Sequence, residues 1–245
     1  PSTKSSPVYC KQLINWEMDL MKQADIVLCS SEYLKEKVIS RSGINREVHI
    51  INNAISLPQI RHFDSFPSKV QDAINLLKSL KCSLLYIGTI SQWFDFKLIC
   101  EALDKKEDVQ LVLIGPKDCD IPSHKQIHYI GSVERQYIYS LMEQASALVM
   151  PFIVNELIRS VNPVKMYEYI YMEKPIIAPH YGEMEKFLPY INLYHDNDEF
   201  MSLVDQLSKS ELQISSEKGN EMKGFAEKNT WESRYEEVKK ILFNV

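Results

Sequence analysis

At 245 residues the chain is long for one domain and short for two full ones, and its apolar content of 45% allows a sizeable core. With 33 acidic against 28 basic residues the net charge is −5. The two signs are interspersed and form no basic stripe, which argues against a nucleic-acid surface and leaves phosphate recognition to a local cationic pocket. The cysteines Cys10, Cys29, Cys82, Cys100 and Cys119 are scattered and form no Cys-x-x-Cys, so a zinc or redox motif has little support and a reducing compartment fits best. No apolar run approaches the ~18–20 residues of a membrane span, and no signal-peptide pattern is present. The expected location is cytoplasmic, with a peripheral position at the inner membrane face as a variant. The first residue is Pro1 rather than Met, which suggests a fragment.

In chain order, the Ser/Pro/Lys-rich stretch Pro1 to Pro7 is expected to be mobile. Lys11 to Gln23 reads as a helix and Ile26 to Cys29 as a short strand. Ser30-Ser31 then caps a helix from Glu32 to Ser40, which Arg41-Ser42-Gly43 breaks. Val48 to Ile51 is the next strand. This order is the tail of an alternating α/β domain, and two strands alone leave an open edge and little core. Leu57 to Ser68, rich in Pro and Phe, reads as a linker. Lys69 to Lys81 is an amphipathic helix, with Val70, Ile74, Leu77 and Leu80 at helical spacing.

Cys82 to Ile87 opens the main domain as a strand and runs through Gly88 and Thr89 into a loop ending at Asp95, followed by a helix from Phe96 to Asp104. A strand, a glycine, a loop and a helix suit a nucleotide site, because glycine lets backbone approach phosphate. Trp93 and Phe94 read equally well as an apolar lid over the helix. Val109 to Ile114 and Ile127 to Gly131 are strands, separated by a polar loop from Asp118 to Lys125. His124 and His128 would suit a metal only on a helix, and their Gly and Pro neighbours place them on loop and strand, so no metal site is expected. Glu134 to Ala145 is a helix with Tyr137, Ile138, Leu141 and Met142 inward. Ala147 to Pro151 is a strand, and Phe152 to Val161 a loop that holds Glu156 and Arg159.

Asn162 reads as the N-cap of the next helix and Pro163 as its first residue. Val164, Tyr167 and Tyr171 share one face, and Lys165, Glu168 and Met172 another. Lys165 lies in the first turn, where the helix dipole disfavours a cation; an anion bound there would remove the conflict. The alternative is that Lys165 reaches into water and Glu168 is a surface carboxylate. Ile176 to Ala178 is a strand closed by Pro179, and His180 to Glu183 is a turn. Glu183 to Leu188 is a short helix, and Asn192 to Tyr194 an edge strand. Asp198 to Ser208 and Ser215 to Lys228 are amphipathic helices. A final helix runs to Phe243, with Asn229-Thr230-Trp231-Glu232 as its capping box. The whole from Lys81 to Leu193 is an α/β, Rossmann-like parallel sheet with helices on both faces.

The run Asn162-Pro163-Val164-Lys165-Met166-Tyr167-Glu168-Tyr169, followed by Lys174-Pro175-Ile176-Ile177-Ala178, resembles the donor-sugar motif of GT-B fold glycosyltransferases. It is most similar to the retaining, family-4-like group that builds bacterial surface polysaccharides. The resemblance implies that Asn162, Pro163, Val164 and Lys165 hold the diphosphate of a nucleotide sugar and that Glu168 binds its ribose. Gly88 and Thr89 match the glycine loop, and Ile130 and Gly131 match the segment that holds the base. The group often carries a Glu eight residues before the ribose carboxylate; here that position is Ser160. The Gly88 to Asp95 loop lacks the usual Arg and Lys, so Lys165 and Arg159 take the cationic role. Its Trp93-Phe94-Asp95 is similar to transferases of teichuronic-acid-type synthesis.

The segment Ala24 to Ala54 resembles the close of the N-terminal GT-B domain, with Asn53-Ala54 for the usual Asn-Gly. The helix beginning at Trp231 resembles one that crosses back onto that domain. The implied organisation is an acceptor-domain tail over 1–56, a linker and connecting helix over 57–80, a nucleotide-sugar domain over 81–228 and the crossing helix over 229–245. The implied activity is sugar transfer from a nucleotide diphosphate to a hydroxyl of a glycan or lipid-linked acceptor. No metal or other cofactor is expected, and the catalytic residue is left to a missing N-terminal domain or partner chain. A non-catalytic binding half and a nucleotide-sugar 2-epimerase are the alternatives.

Overall fold

Two parallel sheets are laid down in chain order in the computed structural model, which describes residues 7–43, 47–58 and 63–243. The first unit consists of α1 (Pro7–Gln23), β1 (Val27–Cys29), α2 (Glu32–Ser42) and β2 (Val48–Ile50), and β1 and β2 pair in parallel. Ser31 caps α2 by accepting from Leu34 N at 3.2 Å, and Gly43 ends it in the left-handed region at φ 60°. Helix α1 starts at Pro7, earlier than the apolar spacing predicted. The stretch Pro1 to Ser6, expected to be mobile, lies outside the described residues, as do residues 59–62 of the linker. The linker residues that are described before Ser68 form no helix or strand of their own.

The second unit begins with α3 (Ser68–Ser79), β3 (Cys82–Ile87), α4 (Phe96–Lys105), β4 (Val109–Ile114) and β5 (Ile127–Gly131). A 3-10 turn (Arg135–Tyr137) leads into α5 (Ile138–Met142), then β6 (Ala147–Val149), α6 (Glu156–Arg159), α7 (Val164–Tyr171) and β7 (Ile176–Pro179). A 3-10 segment (Gly182–Phe187), β8 (Asn192–Tyr194), α8 (Asn197–Ser208), α9 (Ser216–Lys228) and α10 (Trp231–Phe243) complete it. The sheet order is β5-β4-β3-β6-β7-β8 and every pairing is parallel. Counted within this sheet, that is the doubly wound order 3-2-1-4-5-6, which reverses between β3 and β6 and opens a crevice beyond their carboxyl ends. All six residues of β3 are buried, as expected for a parallel strand covered on both faces. The core gathers β3, β4, β6 and β7 with the inner faces of α3, α4 and α7.

Four local expectations are corrected. The helix predicted over Glu134 to Ala145 is a 3-10 turn plus the short α5. Its last turn tightens into i−3 bonds, Gln144 N to Leu141 O at 3.2 Å and Ala145 N to Met142 O at 3.1 Å. The loop over Phe152 to Val161 contains α6, capped by Asn155 Oδ1 accepting from Ile158 N at 3.0 Å. Pro163, not Asn162, occupies the cap position of α7, because the Asn162 side chain is committed elsewhere. The cap of α10 is Thr230, whose Oγ1 accepts from Ser233 N at 3.2 Å, so Glu232 falls one residue short of a capping box.

The chain crosses between the units twice. Ile55 N donates to Asn229 O at 3.0 Å and Trp231 N to Ile55 O at 3.2 Å. Arg234 Nε, on α10, donates to Asn52 O at 3.0 Å.

Candidate functional site

The loops leaving β3, β4 and β5 lie backbone against backbone. Gly88 N donates to Ile114 O at 2.8 Å and Gly115 N to Gly131 O at 3.0 Å. Both spots need glycine. Gly88 has φ +150° and Gly115 φ +136°, and a Cβ on Gly115 would stand 2.1 Å from Gly88 O. A Cβ on Gly88 would stand 2.1 Å from Lys165 Cε and 2.4 Å from its Nζ. The first turn of α7 therefore delivers an ammonium onto the end of β3, 5.7 Å from the Tyr86 ring centroid. Burial pushes the Lys165 pKa below the usual lysine value, and Glu168 partly offsets this. The Tyr86 hydroxyl donates to Thr89 O at 2.8 Å and fixes the first turn of the loop.

At the start of α7, Met166 N bonds Pro163 O at 3.0 Å. The amides of Val164 and Lys165 have no hydrogen-bond partner among the described residues. One turn on, Glu168 has a side chain only 16% exposed, and its Oε1 accepts from Arg135 Nη2 at 3.0 Å. Burial raises the Glu168 pKa, and Arg135 and then Lys165 pull it back. The structure thus brings Gly88, Thr89, Val164, Lys165 and Glu168 to one end of the sheet. Ile130, half-buried, and Gly131 follow two strands away, with Lys69 Nζ donating to Ser132 O at 2.8 Å beside them.

Asn162 faces the other unit. It is 1% exposed; its Oδ1 accepts from Asn53 N at 2.9 Å and Tyr167 OH at 3.2 Å, and its Nδ2 donates to Glu183 Oε2 at 3.1 Å. Asn53 Nδ2 donates to its carbonyl at 2.6 Å. Glu183, 2% exposed, also accepts from Glu32 N at 2.8 Å with Oε1 and pairs with Lys186 Nζ at 3.2 Å through Oε2. One carboxylate therefore ties the start of α2 to the residue preceding Pro163. Nothing in the sequence separates Glu183 from Glu185, and apart from Lys186 its partners, Glu32 and Asn162, are too distant along the chain to be read from spacing.

A cleft of about 590 Å³ opens between the units, lined by Glu32, Tyr33 and Glu36 of α2 and by Val154, Arg159 and His180 to Glu183. Gly88, Lys165 and Glu168 do not line it. Ser160 sits at the contact between the units: its carbonyl accepts from Ser31 Oγ at 2.9 Å, and its own Oγ donates to Leu157 O at 2.6 Å. Glu156 is drawn to α2, pairing with Lys37 Nζ at 2.8 Å and accepting from Tyr33 OH at 3.0 Å. Phe94 is buried between Tyr86 of β3 and Phe96 at the start of α4, with ring centroids 5.1 and 4.5 Å away. His124 and His128 have separate partners, Asp104 and Gln110.

No family model matches the sequence. The structure aligns with that of HepE from Anabaena in complex with UDP-glucose, with a TM-score of 0.71 at 12% identity, over 97% of this chain and 69% of that one. It aligns with sucrose-phosphate synthase from Thermosynechococcus elongatus with a TM-score of 0.70 at 13% identity, over 98% of this chain and 63% of that one. The fold is GT-B. In sequence, the chain is 24% identical over 237 residues to TuaH of Bacillus subtilis (strain 168), which carries the name of a teichuronic acid biosynthesis glycosyltransferase. The match takes in 91% of this chain and 58% of TuaH, so the chain spans little more than half the length of that relative. Around the start of α10, Trp231 N and Arg234 Nε reach Ile55 O and Asn52 O of the stretch that follows β2. Among the described residues no helix is long and apolar enough to cross a membrane.

Proposed function

We propose that the chain is the donor-binding part of a glycosyltransferase that moves a sugar from a nucleotide diphosphate to a hydroxyl acceptor during bacterial surface polysaccharide synthesis. The observation that carries this is Lys165 Nζ seated over Gly88, beside the unpartnered amides of Val164 and Lys165. Burying an ammonium without an ion-pair partner is costly, and a diphosphate at that point supplies the missing charge. In the reaction the same groups stabilise the negative charge that grows on the leaving diphosphate, and this reading asks for no metal there. Glu168 accepts hydrogen bonds from the ribose. Gly88 and Thr89 let backbone approach the phosphates, and Ile130 and Gly131 meet the base. Asn162 and Pro163 act by setting where α7 begins. The cleft beside Arg159 and Ser160 takes the transferred sugar and a glycan or lipid-linked acceptor, with residues 1–56 as part of the acceptor wall.

The name of TuaH supports the polysaccharide context, and HepE, solved with UDP-glucose, makes uridine nucleotides the first donors to try. The test is calorimetric titration and thermal shift with UDP, GDP and dTDP. At least one should bind, and Lys165→Met should weaken it by about tenfold to a hundredfold, the worth of a hydrogen-bonded ammonium–phosphate contact. No binding by the wild-type chain, or unchanged affinity in Lys165→Met, overturns the reading.

A further inference from the structure

We propose that Arg135 is a positioning residue for the donor: it holds the Glu168 carboxylate in place, with one oxygen taken and the other presented to the ribose. This rests on the nucleotide-sugar reading of the site. Arg135 lies four residues after Gly131, in the turn between β5 and α5, so the stretch that follows the proposed base segment also carries this cation. Its Nη2 donates to Glu168 Oε1 at 3.0 Å, while Glu168 Oε2 has no hydrogen-bond partner among the described residues.

An exposed ion pair is ordinarily worth little, and Arg135 itself is 69% exposed. The carboxylate it meets is different. Glu168 is mostly shielded from water and needs a partner to stay charged. The other cation near it, Lys165, lies on the same helix with its ammonium over Gly88, and it acts on Glu168 only through its charge, without an ion pair. The two cations therefore divide the work, Lys165 toward the phosphates and Arg135 toward the ribose carboxylate. Tyr139, one turn beyond Arg135, brings a buried hydroxyl close to both Arg135 and Glu168. Burial first, and then the nearby Glu168 charge, push its pKa up to about 12, so at neutral pH it remains a donor on the same wall. A fixed carboxylate oxygen beside a free one is an arrangement suited to a vicinal diol.

The experiment uses the full chain, UDP and 2′-deoxy-UDP, with GDP and 2′-deoxy-GDP as a parallel pair. Affinities are measured for wild type, Arg135→Ala, Arg135→Lys, Glu168→Gln and the Arg135→Ala/Glu168→Gln double variant. Arg135→Ala should weaken the ribonucleotide by about tenfold, the worth of a ribose hydrogen bond to a charged group, and hardly affect the deoxy form. The ribo-to-deoxy preference should collapse to that of Glu168→Gln, the double variant should be no worse than Glu168→Gln alone, and Arg135→Lys should retain part of the preference. A purely structural residue would weaken both nucleotides alike. An unchanged preference in Arg135→Ala, or equal losses for the two forms, overturns this assignment and leaves the donor site standing. Failure of the wild-type chain to bind either pair overturns both.

Discussion

Glu183→Ala removes the carboxylate on which the contact between the two units converges. It leaves Glu32 N and Asn162 Nδ2 without an acceptor, and Lys186, whose side chain is 31% exposed, without its counter-charge. An orphaned donor costs about 1–3 kcal/mol, and the partly solvated ammonium adds little, so the loss for the two should be about 2–6 kcal/mol. That is a sizeable part of the ~5–15 kcal/mol that holds a typical protein together, and should lower Tm by about 4–24 °C. The sharper test is reciprocal. Glu183→Gln turns one acceptor toward Asn162 into a donor, and Asn162→Asp turns the facing donor into an acceptor, so each alone sets like groups against each other. Together they restore complementarity between positions 162 and 183: the new amide carbonyl accepts from Glu32 N, its NH2 donates to the new carboxylate at position 162, and Lys186, which loses Oε2 as its counter-charge, keeps Asn52 Oδ1 at 3.4 Å. Urea unfolding of the four proteins should give a coupling energy of about 2 kcal/mol, and nucleotide affinity should recover in the pair, because position 162 sets where α7 begins. Strictly additive losses would refute the pairing.

Gly88→Ala and Gly115→Ala should part company. The first drives a Cβ into the movable end of Lys165 and should weaken nucleotide binding at least tenfold for about 1–2 kcal/mol of stability; the second meets the Gly88 carbonyl and should unfold more easily. Equal melting losses, or intact binding in Gly88→Ala, would count against the geometry described. Glu168 has a folded-state pKa above the ordinary 4.5, so the folded chain keeps that proton longer than the unfolded one. Stability tied to it is therefore present below 4.5 and lost as pH rises through the folded value. Urea midpoints across that window should flatten in Glu168→Gln, and an unchanged slope would show that another group titrates. Lys37→Ala, which breaks the exposed pair with Glu156, should leave the urea midpoint essentially where it is, and a clear drop would show that the pair matters to the fold.

The sheet was readable in advance because a parallel strand covered on both faces leaves a continuous apolar signature. Cys82–Ile87 and Val109–Ile114 show it and occupy the predicted residues; the edge strands Ile127–Gly131 and Asn192–Tyr194, only partly buried, also fall where predicted, but between turn residues rather than on such a signature. The conflict of Lys165 with its helix dipole was visible in the residues, but that its ammonium lies over Gly88, on a distant strand end, was not, because no local pattern links the two. The fate of Asn162 was not readable. Its preference for a cap was overridden by Asn53 and Glu183, which lie 109 residues before it and 21 after it. Arg135 was hidden for the same reason, lying 33 residues from Glu168. Helix α6 is too short to show a period, and the capping slip at α10 by one residue follows from two adjacent polar candidates, Asn229 and Thr230.

The double crossing at Ile55 and Asn229 to Trp231 also limits how the halves can move. A joint made from one strand can swivel in any direction. Two strands laced side by side behave like a door on its pins, leaving rotation about the line they share as the easy motion. Opening and shutting would then swing the far side of the cleft along a single arc, so a sugar could enter or leave without the carboxyl ends of β3 and β6 ever being pulled out of register.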